Sequence, residues 1–546
     1  MLKNIKTLLL VSLAVVACNK NDDTTTAVAD TNSSDGKALT AGTANFSKYV
    51  AVGNSLSAGF SDGALFKAGQ LGSWTNVLNE QFKLVGGGEF KIPFMPDDNI
   101  GGIVLPQPFF QNPRLFWNNT LINGTLDQKG PTPVGFPTSQ ATDRAVGSGF
   151  NNMGVPGAKV FHLLAPNYGN PAGLPAAANP YFCRFASTPS ARIIDDATAQ
   201  NATFFSLWIG NNDVLSYATS GGTGTNQTGN FNPATYGSND ITDPNVFAGA
   251  YNSILNGSTT PVVAKGLTSD GAKGVVCNIP YVTSVPYFTA IPVNAITADK
   301  LPIANANSLN QLFGAINQIA AGANQSKRFN TLNSDFGNAN TVVAPNALLI
   351  VDEALVDLSA PIATALTPLY GATTAGYLGS IYGKARHAVA TGNRDYILLT
   401  TRSIITPPPS GNNIRAGAPA PFNVNGISYP LQDSEVLTSA ETAEIKIATD
   451  AYNVTIKSLA TAKGLAFVDT NAILAQIANG GLIYNGYNVT SDYPIGGAFS
   501  LDGVHPSARG YAVIANKVME AINATYGSNL KAVDVTKYRI QYPRSF

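Results

Sequence analysis

Short apolar runs that alternate with helix-length stretches constrain this chain more than any other feature. The runs cover 49–52, 203–209, 274–279, 396–400 and 465–468, and each ends near a turn or a polar residue. Such alternation predicts an α/β fold. Two helices can be bounded from their end signals. Thr438 with Glu441 three residues on makes a capping box for a helix over 440–462, and Gly464 stops it. Pro506 and Ser507 open a last helix over 508–522. Between these elements, 219–245 is a Gly/Asn/Thr-rich loop, and 286–435, with Pro407, Pro408 and Pro409, reads as an insertion containing some helices. No internal repeat is visible, which excludes a solenoid or propeller. Neither insertion has a clean linker on both sides. Residues 46–546 therefore read as one decorated domain, although 546 residues would allow several at about 150 each.

The first eighteen residues, MLKNIKTLLLVSLAVVAC, are an address. Lys3 and Lys6 supply positive charge, and 8–16 is an apolar stretch too short to span as a mature helix. Ala17 and Cys18 follow, in a secretory signal pattern. It resembles a bacterial lipobox, which would make Cys18 the lipidated mature N-terminus and the membrane a partner through that anchor. Val15 departs from the Leu usual three before the Cys, and an ordinary signal peptide ending on a chance Cys is the plainer alternative. Residues 19–45 are small and polar with no aromatic side chain, as a flexible tether should be. Within them, 20–23 resembles the acidic signal that sends some lipoproteins to the outer face of the outer membrane. A merely soluble linker explains those four residues equally well.

Composition narrows the function classes. Lys+Arg and Asp+Glu number 33 each, so no basic excess exists to neutralise phosphates, and a nucleic-acid partner is not expected. Charged residues make up only 12%, about half the usual share, which suits an extracytoplasmic surface. Beyond the leader no apolar run approaches the ~18–20 residues of a spanning helix. Cys183 and Cys277 could form one disulfide, but the apolar stretch around Cys277 favours a free buried thiol.

Four motifs then occur in order. The first strand runs into GNSLSAG, 53–59, where Ser55 can expose its hydroxyl at the sheet's C-terminal edge. NMGVPGA, 152–158, offers close backbone approach and a free N–H. LWIGNNDVL, 207–215, ends an apolar strand in amides. DGVHPSARGY, 502–511, puts Asp502 three residues before His505. Serine needs a base to take its proton, and His suits neutral pH. A carboxylate fixes the His tautomer, and the tetrahedral intermediate needs preorganised donors. Ser55, His505, Asp502, the Gly157 N–H and the Asn212 side chain would supply every part, with Asn211 as a competitor for the last role.

Together the four blocks resemble the SGNH/GDSL hydrolases, serine esterases and lipases. The resemblance implies a flavodoxin-like three-layer α/β/α sandwich with a central parallel sheet and large insertions. It implies Ser55 as nucleophile, Asp502 and His505 as its partners, and an oxyanion hole from the Ser55 and Gly157 N–H groups and Asn212. No cofactor and no metal are called for. The partner would be an ester substrate, whether a lipid, a short-chain ester or an acetylated glycan. Asn54 departs from the family's usual Asp before the nucleophile, and the spacing between blocks is stretched. A catalytically silent surface lipoprotein that binds glycans or a partner on the same scaffold is the competing class.

Several residues carry plainer readings. His162 sits among apolar residues and reads as a satisfied side chain, and His387 as a solvated helix position. Gly154 reads as a turn glycine, and Asp213 as a brace for its loop. Phe109, Phe110, Phe116 and Trp117 could line an acyl or sugar pocket but read more simply as core. Asp97–Asp98 and Asp352–Glu353 have no recognisable metal-ligand spacing.

Overall fold

The structure is a computed structural model that describes residues 38–105, 110–122, 125–296, 301, 303–333, 345–406 and 412–546. The leader with Cys18, most of the tether and Phe109 lie outside the described residues.

Five strands form one sheet: β1 (Tyr49–Gly53), β2 (Asn152–Gly154), β3 (Phe204–Trp208), β4 (Lys273–Cys277) and β5 (Ala466–Val468). Their order is β2-β1-β3-β4-β5, and every pair is parallel. Successive side chains enter opposite cores. Val50, Val52, Phe205, Leu207 and Val276 face one side. Tyr49, Ala51, Phe204, Trp208 and Val275 face the other. Both faces are buried, which is why the strands other than β2 read as apolar runs in the sequence.

Nine helices matter to the site and its support. They are α1 (Ser55–Ala58), α2 (Trp74–Lys83), α3 (Asn212–Thr219), α4 (Pro244–Asn256), α5 (Ile303–Gly322), α6 (Ser359–Tyr382), α7 (Ser439–Ala462), α8 (Thr470–Ala478) and α9 (Ala508–Tyr526). One face of the sheet is covered by α2 and α9, the other by α4 and α7. On α9, Tyr511, Ala515, Val518, Met519 and Ile522 form the buried stripe that a 3.6-residue repeat demands. Ser507 caps this helix by accepting the Gly510 N–H at 3.0 Å, and Gly527 at φ +68° ends it. The capping box of α7 forms as its spacing predicts, with Glu441 accepting the Thr438 N–H at 2.7 Å.

The insertion over 286–435 carries a core of its own. Leu312, Phe313 and Ile316 of α5 pack with Ile362, Leu366 and Tyr382 of α6, beside an antiparallel pair formed by Leu349–Val351 and Ala385–His387. Three expectations change here. The run at 396–400 is not a strand of the central sheet: only Tyr396–Ile397 is extended, paired antiparallel with Val436–Leu437, because Ile397 and Val436 belong to the insertion's core. The fifth strand is instead β2, three residues inside the NMGVPGA motif, too short and too polar to be recognised as one. Phe116 and Trp117 are half-exposed on a hairpin of Leu115–Ile122 and Thr125–Pro133, and Phe110 is exposed. They are neither core nor part of the cavity at Ser55, since an antiparallel ribbon outside the sheet leaves one side to solvent.

Cys183 and Cys277 are both buried and unpaired, and they sit in different apolar clusters. Burial pushes the Cys183 thiol up to about 11. Among the described residues no helix is long and apolar enough to cross a membrane.

Candidate active site

The loops after β1, β2 and β3 leave the same edge of the sheet side by side, because Gly53 lies opposite both Gly154 and Trp208 in register. Gly53 is required there: a Cβ would fall 2.3 Å from the Trp208 carbonyl oxygen. Asn54 then caps the short α1, its Oδ1 accepting the Leu56 N–H at 3.0 Å. Its Nδ2 donates to Asn211 Oδ1 at 3.2 Å, so this amide pins the β3 loop to the β1 loop. Ser55, the first residue of α1, is placed at that junction.

Ser55 Oγ lies 2.9 Å from His505 Nε2, although the two are 450 residues apart in the chain. His505 Nδ1 lies 2.8 Å from Asp502 Oδ2. Asp502 also accepts N–H groups from Gly63 (2.9 Å), Val504 (2.9 Å) and His505 (2.8 Å), and the Ser500 hydroxyl at 3.1 Å. Burial alone would raise its pKa. The His505 ring and the N–H donors more than offset that and hold the carboxyl below its ordinary range. Facing an ionised carboxylate, Nδ1 must carry its proton, which leaves the Nε2 lone pair to accept from Ser55. The Phe60 ring packs against the imidazole, with 4.6 Å between ring centres and the planes tilted by 42°.

Gly157 has φ +82°, a conformation that glycine adopts at little cost, and the residue is exposed. Among the described residues neither this N–H nor that of Ser55 has a protein acceptor. Asn212 is 6% exposed, and one of its amide hydrogens goes to the Ala158 carbonyl at 2.9 Å, leaving the second without an acceptor among the described residues. That bond fastens the Asn212 side chain to the Gly157 loop. Asp213 adds a second tie by accepting the Val160 N–H at 2.9 Å, so it braces the loops as its position suggests. Asn211 accepts from Asn54 through Oδ1 only, so its own amide hydrogens stay available and it keeps its place as a competing donor beside Asn212. The arrangement can deprotonate a serine and can hold negative charge beside it.

Comparison with protein-family models, characterised proteins and solved structures finds no match to this chain.

Two openings meet this site. A narrow apolar crevice of about 90 Å³ begins at Ser55 and His505 and runs between α8 and α9. A wider groove of about 990 Å³ begins at Gly157 and carries Lys159, Tyr168, Asn179 and Tyr236 on its walls.

The sequence reading misses the support behind the triad. The turn after α1 grips the Asp502 loop at several points. Ser61 Oγ donates to the Pro506 carbonyl, the Asp62 N–H to Ser500 Oγ, and Asp62 Oδ1 accepts the Leu501 N–H. Asp62 is fully buried, and its Oδ2 has no partner among the described residues. Burial pushes its pKa up to about 7, the Leu501 N–H opposing, Asp502 adding to the rise and Arg114 reducing it. The Ser-Asp-Gly turn is visible in sequence, but nothing local points to a contact 438 residues away.

Because Asp62 is harder to ionise when folded, its contribution to stability is full below its unfolded value. It is lost as pH rises towards about 7. Asp62→Asn keeps the acceptor for Leu501 and tolerates the positive φ at this position. We expect it to raise the melting temperature more at about pH 8 than at about pH 4, read by thermal melts across pH. An increment that does not grow with pH would mean that Asp62 is ionised in the fold.

The remaining histidines stand apart from the triad. His162 is satisfied, Nδ1 accepting the Lys159 N–H at 3.0 Å and the ring stacking on Tyr168, and burial lowers its pKa to about 3. His387 is not a solvated helix position. It is 4% exposed on a strand of the insertion, Nδ1 accepts the Asn330 N–H at 2.8 Å, and burial lowers its pKa to about 4. The sequence KARHAVA hides this because the strand is only three residues long. Glu353 meets Asp433 and Glu441, with carboxylate oxygens within 4.8 Å of one another, a spacing that a cation could bridge. Spacing in sequence cannot show this cluster, since its members come from three separate segments.

Proposed function

We propose that this chain is a serine hydrolase of the SGNH/GDSL kind that cleaves carboxylic esters. The observation that carries the reading is the unbroken hydrogen-bonded line from Ser55 through His505 to Asp502. Supporting it are the two unspent N–H groups and the second Asn212 amide hydrogen on adjoining loops. The β2-β1-β3-β4-β5 order also agrees with a flavodoxin-like sandwich, whose ligand crevice lies where the strand order reverses, here between β1 and β3.

In this mechanism Ser55 Oγ attacks the ester carbonyl carbon while its proton passes to His505 Nε2. Asp502 stabilises the imidazolium. The oxyanion rests on the Ser55 and Gly157 N–H groups and on Asn212. As the intermediate collapses, the C–O bond to the alcohol breaks and His505 returns the proton to the departing oxygen. Water, deprotonated by the same His505, then attacks the acyl-serine; the bond from the acyl carbon to Oγ breaks, His505 returns the proton to Ser55, and the acid leaves. Reading the leader as a lipobox adds that the enzyme is tethered through Cys18 to a bacterial envelope membrane, on an extracytoplasmic face.

A fluorophosphonate tests the serine chemistry directly. We expect one label per chain, mapped to Ser55 by peptide mass spectrometry, with p-nitrophenyl acetate hydrolysis lost in step. A protein that hydrolyses no ester and takes no label would overturn the reading.

A further inference from the structure

The crevice at Ser55 indicates which ester is cut, an inference that rests on the hydrolase reading above. We propose that it holds the acyl chain of the substrate, and that this chain is a medium-length hydrocarbon of roughly eight carbons rather than an acetyl group.

The lining carries the argument. Leu56, Val468, Ile473, Leu474, Ile477 and Ile514 present hydrocarbon to the crevice. Among the described residues, the one ionisable residue on its walls apart from His505 is Lys517, at the far end and paired with Glu520 at 2.8 Å. A polar occupant would lose its hydration there with little to replace it, whereas a hydrocarbon loses nothing. Length follows from helix geometry. Gly510, Ile514 and Lys517 lie on one face of α9, and seven residues at a rise of 1.5 Å span about 10 Å. An extended chain advances roughly 1.2 Å per bond, so about eight bonds fit that distance.

An acetyl group would leave almost all of this lining bare. The alcohol half has an opening of its own in the wider, more polar groove that begins at Gly157. Its exit there is not blocked by the acyl-serine, whereas an alcohol in the crevice would have to leave past that bond.

The test uses the full mature chain and two substrate series. In p-nitrophenyl esters from acetate to laurate, kcat/KM should rise about fourfold per added methylene, the equivalent of ~0.8 kcal/mol, and level off near octanoate. In alkyl acetates from ethyl to octyl, it should stay flat. Ile514→Trp, which narrows the crevice, should lower the octanoate-to-acetate ratio by tenfold or more. Should that variant fail to fold, the wild-type series decide alone. A flat or falling acyl series from a protein that hydrolyses acetate and takes the fluorophosphonate at Ser55 overturns this inference and leaves the hydrolase reading standing. A rise in the alkyl acetates instead puts the alcohol in the crevice and also overturns it. No hydrolysis and no label overturns both.

Discussion

Asp502→Asn is expected to lower kcat/KM by about 10⁴ while leaving the fold intact. The size of the effect follows from what surrounds the carboxylate. Oδ1 accepts from the Val504 and His505 N–H groups and from the Ser500 hydroxyl, and Oδ2 accepts from the Gly63 N–H and His505 Nδ1. Every neighbour is a donor. An asparagine must turn its NH₂ towards one of these sets, and the Oδ2 side opposes fewer donors. There it faces His505 Nδ1, which can satisfy it only by giving up its proton and becoming an acceptor. The proton then resides on Nε2, which points at Ser55 and can no longer accept from it. The side chain keeps its volume and most of its contacts, so circular dichroism and thermal melts should change little. Steady-state kinetics on p-nitrophenyl butyrate supply the readout. A loss below about tenfold would mean that Asp502 does not set the tautomer, and another group that orients His505 would have to be sought.

The parts of this site that can be read from sequence are those whose chemistry is local. Ser55 follows a strand and lies among small residues, and Asp502 and His505 are three apart, so residue type and spacing suffice. The parallel strands are legible because burial on both faces leaves continuous apolar runs. Asp62 is not legible, since its role depends on Ser500 and Leu501, more than four hundred residues away. Strand β2 is hidden because three residues cannot display a period. His387 is misread because a lysine and an arginine flank it, while its burial is decided by Phe313 and Phe329, whose rings lie within 6 Å of it. Each failure is one of tertiary contact overriding local pattern.

The same distinction applies to a buried charge in the insertion. Arg386→Met is expected to destabilise the protein by about 3–5 kcal/mol, because it leaves a buried carboxylate without its counter-ion. Arg386, on the strand Ala385–His387, holds Asp395 through two hydrogen bonds of 2.6 and 2.9 Å and Asp352 through a third of 2.6 Å. Asp395 is fully buried. Its remaining acceptor capacity goes to the Val389 N–H at 2.7 Å and to the Ser439 N–H at 2.9 Å, in the first turn of α7. One arginine therefore links the core of the insertion to a helix that covers the central sheet. Burial works against its charge, yet the two carboxylates push its pKa up. Removing the guanidinium strands Asp395 with two N–H donors, too few to replace a cation. Urea unfolding of the purified variant measures the cost. The double variant Arg386→Met with Asp395→Leu should recover part of it, since removing both charges is far cheaper than removing one. If the single variant costs under about 1 kcal/mol, solvent reaches Asp395 and screens its charge.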